Sequence, residues 1–115
     1  MDVFTALADD TRRRIVELLA RDELLAGQVA AHFGCSRPAV SHHLRVLREA
    51  GLVRSRVDAQ RRVYSVDPAG LDALEEWAAT QRRFWTAQLD RLAARVERDL
   101  AAGDLPPAVP HRKEP

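Results

Sequence analysis

Between residues 36 and 66 stand seven arginines and only two acids, Glu49 and Asp58. Three of those arginines, Arg37, Arg45 and Arg48, lie in the run SRPAVSHHLRVLREAG over 36–51, together with Ser41, His42 and His43. At about 100° per residue, Val40, Leu44 and Leu47 form one apolar stripe along that run. Pro38, Ser41, His42, Arg45 and Glu49 fall opposite the stripe, and Arg37 and Arg48 flank it. Short hydrogen-bonding side chains near a helix start, with arginines along its sides, suit base edges and phosphates in a DNA major groove. An ordinary amphipathic helix with an arginine-rich surface would show the same spacing.

Other chemistry finds little support. No nucleophile–base pair and no phosphate-binding loop occurs at a usable spacing, so no enzyme is expected. His42 and His43 are neighbours, and adjacent helix residues point about 100° apart, too far to share an ion. His43 borders the apolar stripe and reads as a packing residue with one hydrogen bond. His32 and His111 have no ligand partner nearby, so neither a metal nor a cofactor is expected. Cys35 is the single cysteine, which excludes an internal disulfide. It is either a small packing residue or a redox-responsive thiol.

The elements that would hold the basic run are legible on both sides of it. Ser36 is a good N-cap, Pro38 suits a first turn, and Gly51 can supply the left-handed residue after the last turn. Upstream, the spacing predicts a short helix near 2–8 and a second from about 10–20, capped by Asp9 or Asp10. A third follows over 25–33, with Leu25, Val29 and Phe33 on one side and Gly34 ending it. Two helices joined by so short a glycine-containing turn form a helix-turn-helix.

After Gly51 the period changes to two. Residues 52–57 and 62–66 read as strands, joined by a turn over 58–61. Arg54 and Arg56 lie on the first strand, while Arg61 and Arg62 stand at or near the tip. A hairpin placed there is a wing, whose arginines can enter a minor groove or grip phosphates. A solvated edge hairpin using charge against aggregation would look similar.

Asp67-Pro68 restarts a helix that continues to about residue 102, close to 50 Å at about 1.5 Å per residue. Leu71, Leu74, Trp77, Phe84, Trp85, Leu89, Leu92 and Val96 fall on one broad side. An apolar face that outruns a small domain needs a second chain, so this is the expected dimerisation helix, with Phe4 of the first helix beside it. Trp77, Phe84 and Trp85 form either dimer core or an entry for an apolar small-molecule effector. The expected fold is therefore mostly α with a small β-hairpin, a winged helix-turn-helix with a long C-terminal helix. It forms one domain over 1–102, with a proline-rich disordered tail over 103–115.

Composition agrees. The chain has 115 residues, 46% hydrophobic and 30% charged, which suits one soluble globular domain. No apolar run is long enough to span a membrane, and a cytoplasmic address is expected. The net charge of +1 conceals an uneven distribution. Residues 36–66 carry a balance of +5, whereas 1–35 and 67–102 each carry −2. Such clustering is a footprint for a polyanion.

The order FTALADDTRRRIVELL, QVAAHFGCSRPAVSHHLRVLREAGLV and RRVYSVDPAGL resembles the ArsR family of bacterial winged-helix repressors over about residues 2–67. The resemblance implies a homodimer that binds a palindromic operator in double-stranded DNA, with base contacts at Arg37, Ser41 and His42. Metal-sensing relatives carry Glu-Leu-Cys-x-Cys before the recognition helix; here Leu25 and Gly27 occupy the two thiolate positions. The resemblance therefore implies a metal-independent type with an unidentified effector. A winged-helix module that binds an acidic protein is the second reading, and steep salt dependence would separate DNA from it.

Overall fold

The computed structural model describes residues 2–103. Helix α1 (Val3–Leu7) is capped by Asp2, whose Oδ1 accepts from the Thr5 amide at 2.7 Å. Helix α2 (Asp10–Arg21) is capped by Asp9, which accepts from the Thr11 and Arg12 amides at 2.8 and 3.2 Å. The Arg12 guanidinium donates back to the Ala6 and Thr5 carbonyls, closing the corner between the two helices. Helix α3 (Ala26–Phe33) ends at Gly34, at φ 64. Helix α4 (Arg37–Glu49) follows, then strands β2 (Val53–Asp58) and β3 (Arg61–Val66) and helix α5 (Pro68–Ala101). Gly103, at φ 82, follows the last helix. The tail expected over 103–115 lies outside the described residues beyond that glycine.

Two expectations need correction. Leu25 does not open α3: Leu24–Leu25 forms a short strand, β1, pairing antiparallel with β3 through Tyr64 and Val63. The wing is therefore the outer part of a three-stranded sheet, in the order β1-β3-β2. Arg61 is not a turn residue either, since it pairs with Asp58 in the ladder. The loop is Ala59-Gln60 alone, and Ala59 takes φ 57, a left-handed conformation that lets a two-residue turn follow the strand twist.

One core joins these elements. Ile15 of α2, Val29 of α3, Val40, Leu44 and Leu47 of α4, and Leu52 and Val53 beyond it are fully buried. Leu74 of α5, expected at the dimer contact, packs against this core. The described residues divide into two compact units, one ending at Glu76 and the other beginning at Trp77. Within the first, α5 begins where Asp67 Oδ1 accepts from the Ala69 amide at 3.0 Å. Gly70 then meets the α4–β2 corner so closely that a Cβ would lie 2.6 Å from the Gly51 carbonyl oxygen. Only glycine fits without a shift of backbone.

His43 departs from its expected hydrogen bond. Its Nδ1 is buried and makes none. Burial pushes the imidazole pKa below its ordinary value; Asp9 opposes this, while Arg12 and His42 add to it.

Two outcomes follow for stability. Gly70→Ala should cost about 1–3 kcal/mol through overpacking, seen as a lower melting temperature; an unchanged melting temperature would show that the corner yields freely. The unfolded chain binds a proton at His43 more readily than the folded one. Stability should therefore fall as pH drops below about 6.5. His43→Gln should flatten that limb, and parallel pH profiles for the two proteins would contradict the assignment.

Candidate nucleic-acid interface

Local forces fix α4 in its rotation. Ser36 Oγ accepts from the Ala39 amide at 3.3 Å, and Pro38 sits in the first turn. The buried stripe of Val40, Leu44 and Leu47 holds one side inward. Arg37, Pro38, Ser41, His42, Arg45 and Arg48 are all exposed, as their spacing predicts. Arg45 Nη2 lies 3.3 Å from His42 Nδ1. A guanidinium only donates, so Nδ1 accepts, and a neutral His42 carries its proton on Nε2, directed away from Arg45.

The hairpin register sorts the wing arginines by face. Arg62 alternates in phase with Tyr64 and Val66, and these lie across from Val57, Ser55 and Val53. Arg54, Arg56 and Arg61 belong to the other side of the sheet, with Val63. Arg62 and Tyr64 join Pro38, Ser41, His42, Arg45 and Arg48 around one open groove of about 350 Å³. Arg54 lies outside this group. Arg56 is engaged elsewhere: its Nη2 donates to Glu23 Oε2 at 2.6 Å, which raises its already high pKa. Arg61, at the strand's end, borders cavities on both sides.

Tyr64 was not singled out from sequence, although the period-two pattern places it in phase with Arg62. Gln28 and Gln60 were missed too; they border a second concavity of about 530 Å³ together with Arg37, Arg61 and Arg62. Cys35 is half-buried, with its thiol 3.7 Å from the Phe33 carbonyl oxygen. Among the described residues, no group of three or more His, Cys, Asp or Glu side chains is placed to hold a metal ion.

The residues expected at a dimer contact are mostly exposed. Phe84 and Trp85 are 61% and 62% exposed, and Phe4, Leu71, Trp77, Leu89 and Leu92 are also open. Val96 is half-buried. No helix among the described residues is long and apolar enough to cross a membrane.

The family model for bacterial regulatory proteins of the arsR family matches residues 9–55, from the α2 cap into the first wing strand. The HTH-type transcriptional regulator Rv2034 of Mycobacterium tuberculosis is 49% identical over 92 residues, covering 80% of this chain and 83% of that protein. This chain belongs to the ArsR family. The transcriptional repressor SdpR of Bacillus subtilis is a second relative, 37% identical over 76 residues, covering 66% of this chain and 84% of its own length. Among solved structures, a possible transcriptional regulator for arsenical resistance superposes with a TM-score of 0.64 at 48% identity, covering 82% of this chain and 95% of that one. A homodimeric winged helix-turn-helix DNA-binding domain from Mycobacterium bovis, a possible ArsR-family regulator, gives 0.57 at 33% identity, covering 69% and 71%. As an ArsR-family member, the chain is a winged helix-turn-helix DNA-binding transcriptional regulator.

The two faces of the hairpin should behave differently. Arg62→Ala should lower the salt dependence of DNA affinity by about one charge per protomer, whereas Arg56→Ala, already paired with Glu23, should change it little. Equal effects from the two variants would show that the register does not decide which arginine meets the phosphates.

Proposed function

We propose that this ArsR-family protein is a homodimeric repressor that binds a palindromic operator. The observation that carries this reading is the groove between α4 and the wing. Its border of Pro38, Ser41, His42, Arg45, Arg48, Arg62 and Tyr64 contains no carboxylate. In the proposal, α4 lies in a major groove with Ser41 and His42 at base edges. The Nε2–H of His42 suits an acceptor such as guanine O6 or a purine N7. Arg45 and Arg48 take flanking phosphates, and the wing reaches the neighbouring backbone through Arg61 and Arg62. The work of such a protein is binding rather than catalysis, and its address is the cytoplasm.

Dimerisation is assigned to α5 and to Phe4 of α1. The exposed Trp77, Phe84, Trp85, Leu89 and Leu92 favour a second copy of the chain, as does the homodimeric relative from Mycobacterium bovis. A two-fold dimer would set its recognition helices about 34 Å apart, one turn of DNA. Residues 1–102 then act as one DNA-binding and dimerising piece.

Release is assigned to something other than a soft metal, because Leu25 and Gly27 offer no ligand atom at the positions where sensors carry thiolates. An apolar molecule entering near Trp77, Phe84 and Trp85 would act by favouring a dimer with altered helix spacing. Zinc, cadmium and arsenite should leave operator affinity unchanged; metal-induced release would end the metal-independent reading.

Assembly gives the sharper test. Changing both Phe84 and Trp85 to Glu should give a folded monomer in sedimentation equilibrium and abolish tight binding to a palindrome, while weak binding to single half-sites survives. A double variant that stays dimeric would move the interface elsewhere. An acidic protein partner instead of DNA would show as affinity for duplexes that barely changes with salt.

A further inference from the structure

The second concavity, of about 530 Å³, lies between the first turn of α3, the start of α4 and the wing. Arg37, Ser41, Gln60, Arg61, Arg62 and Tyr64 border it, and no carboxylate does. Gln28, at its edge, already accepts from the Leu25 amide at 2.8 Å. Arg37 does not keep to the outer face of α4. A Cβ at Gly27 would lie 3.1 Å from Arg37 Nη1 and 3.8 Å from Cζ, so the guanidinium rests over α3 where a glycine leaves room. Among the described residues, neither Arg37 nor Arg62 makes an ion pair, and that of Arg61 with Asp58 is long, at 4.0 Å. Three guanidinium groups thus border one solvent-open space that no carboxylate lines.

The geometry points to a phosphate-binding subsite here, with Arg37 gripping a phosphate rather than reading a base. Like charges gathered around a concavity repel each other, and a tetrahedral oxyanion relieves that repulsion while accepting from each guanidinium. The inference rests on the DNA-binding reading for its first source, a phosphodiester of the operator backbone. A free phosphorylated compound has the same chemistry and is the second.

The test uses the full-length protein and a duplex enriched by it from a randomised pool. Arg37→Gln should weaken binding to all duplexes alike, lower the salt slope by about one per protomer and leave the preferred sequence unchanged. Replacing single phosphodiesters by neutral methylphosphonates should reveal one position per half-site where the wild type loses about tenfold and the variant loses nothing further. Gly27→Glu puts a carboxylate beside Arg37 in a helical first turn, where an acid is well tolerated. It should fold normally and show the same general loss. If Arg37→Gln changes the preferred base and keeps the slope, the subsite is overturned although DNA binding stands. Inorganic pyrophosphate at constant ionic strength separates the inference from that reading. Saturable shifts of the Arg37 Nε–H signal, absent in Gly27→Glu, support the subsite even if no duplex binds. No saturable binding of pyrophosphate and no phosphate position coupled to Arg37 would overturn it.

Discussion

The rotation of α4 about its own axis is the constraint on which the rest depends. Val40, Leu44 and Leu47 are buried to 0–1% exposure, each burial favouring this orientation by about 1.5–3 kcal/mol. A turn of one residue, about 100°, would bring them into water and drive Ser41 or Arg48 toward the core. The stripe therefore decides which side chains are offered outward. The neighbours reinforce it: Ile15 and Val29 belong to the same core from α2 and α3, while Leu52 and Val53 carry the chain from α4 into the sheet. Gly70 and Gly51 let α5 start against that corner. A groove-reading helix needs such support, because its exposed face contributes almost nothing to its own stability.

The sheet supplies the second half of the proposed interface by parity. Antiparallel pairing puts alternate residues on opposite faces, so the position of one turn assigns every wing arginine at once. With Ala59-Gln60 as the loop, Arg62 and Tyr64 fall beside α4, and Arg56 falls beside Glu23. The short strand β1 fastens the sheet to the start of α3, which brings Gly27, and with it Arg37, near the wing. Positive charge that sequence shows only as a total of seven arginines borders, in three dimensions, a groove and a concavity, with Arg56 drawn off to Glu23.

Much of this was legible in the residues themselves. The Ser36 cap, Pro38 and the i, i+4, i+7 stripe gave α4 and its exposed face, and Asp67-Pro68 marked the start of α5. The signals that failed were those that depend on distant partners. A two-residue strand is too short to show a period, so Leu24 and Leu25 looked like the beginning of a helix until Tyr64 and Val63 paired with them. A turn without Asn-Gly or Asp-Gly hid the true ends of the hairpin, and with them the difference between Arg61 and Arg62. Leu74 fitted the long apolar side of α5, and its packing against the nearby core did not show in that spacing. The direction of Arg37 could not be read at all, since its guanidinium lies beside Gly27, a residue ten positions earlier.

Together these features place one helix face and one side of a hairpin around a groove lined by no carboxylate, the contact surface proposed for DNA. The most direct measurement is a map of backbone amide shifts in the labelled protein as duplex DNA is added at moderate salt. The account predicts that the affected signals concentrate in α4 from Arg37 to Arg48 and in the wing from Gln60 to Tyr64. Shifts confined to the outer sides of α2 and α3, around Arg14, Glu17 and His32, with α4 unmoved, would contradict it.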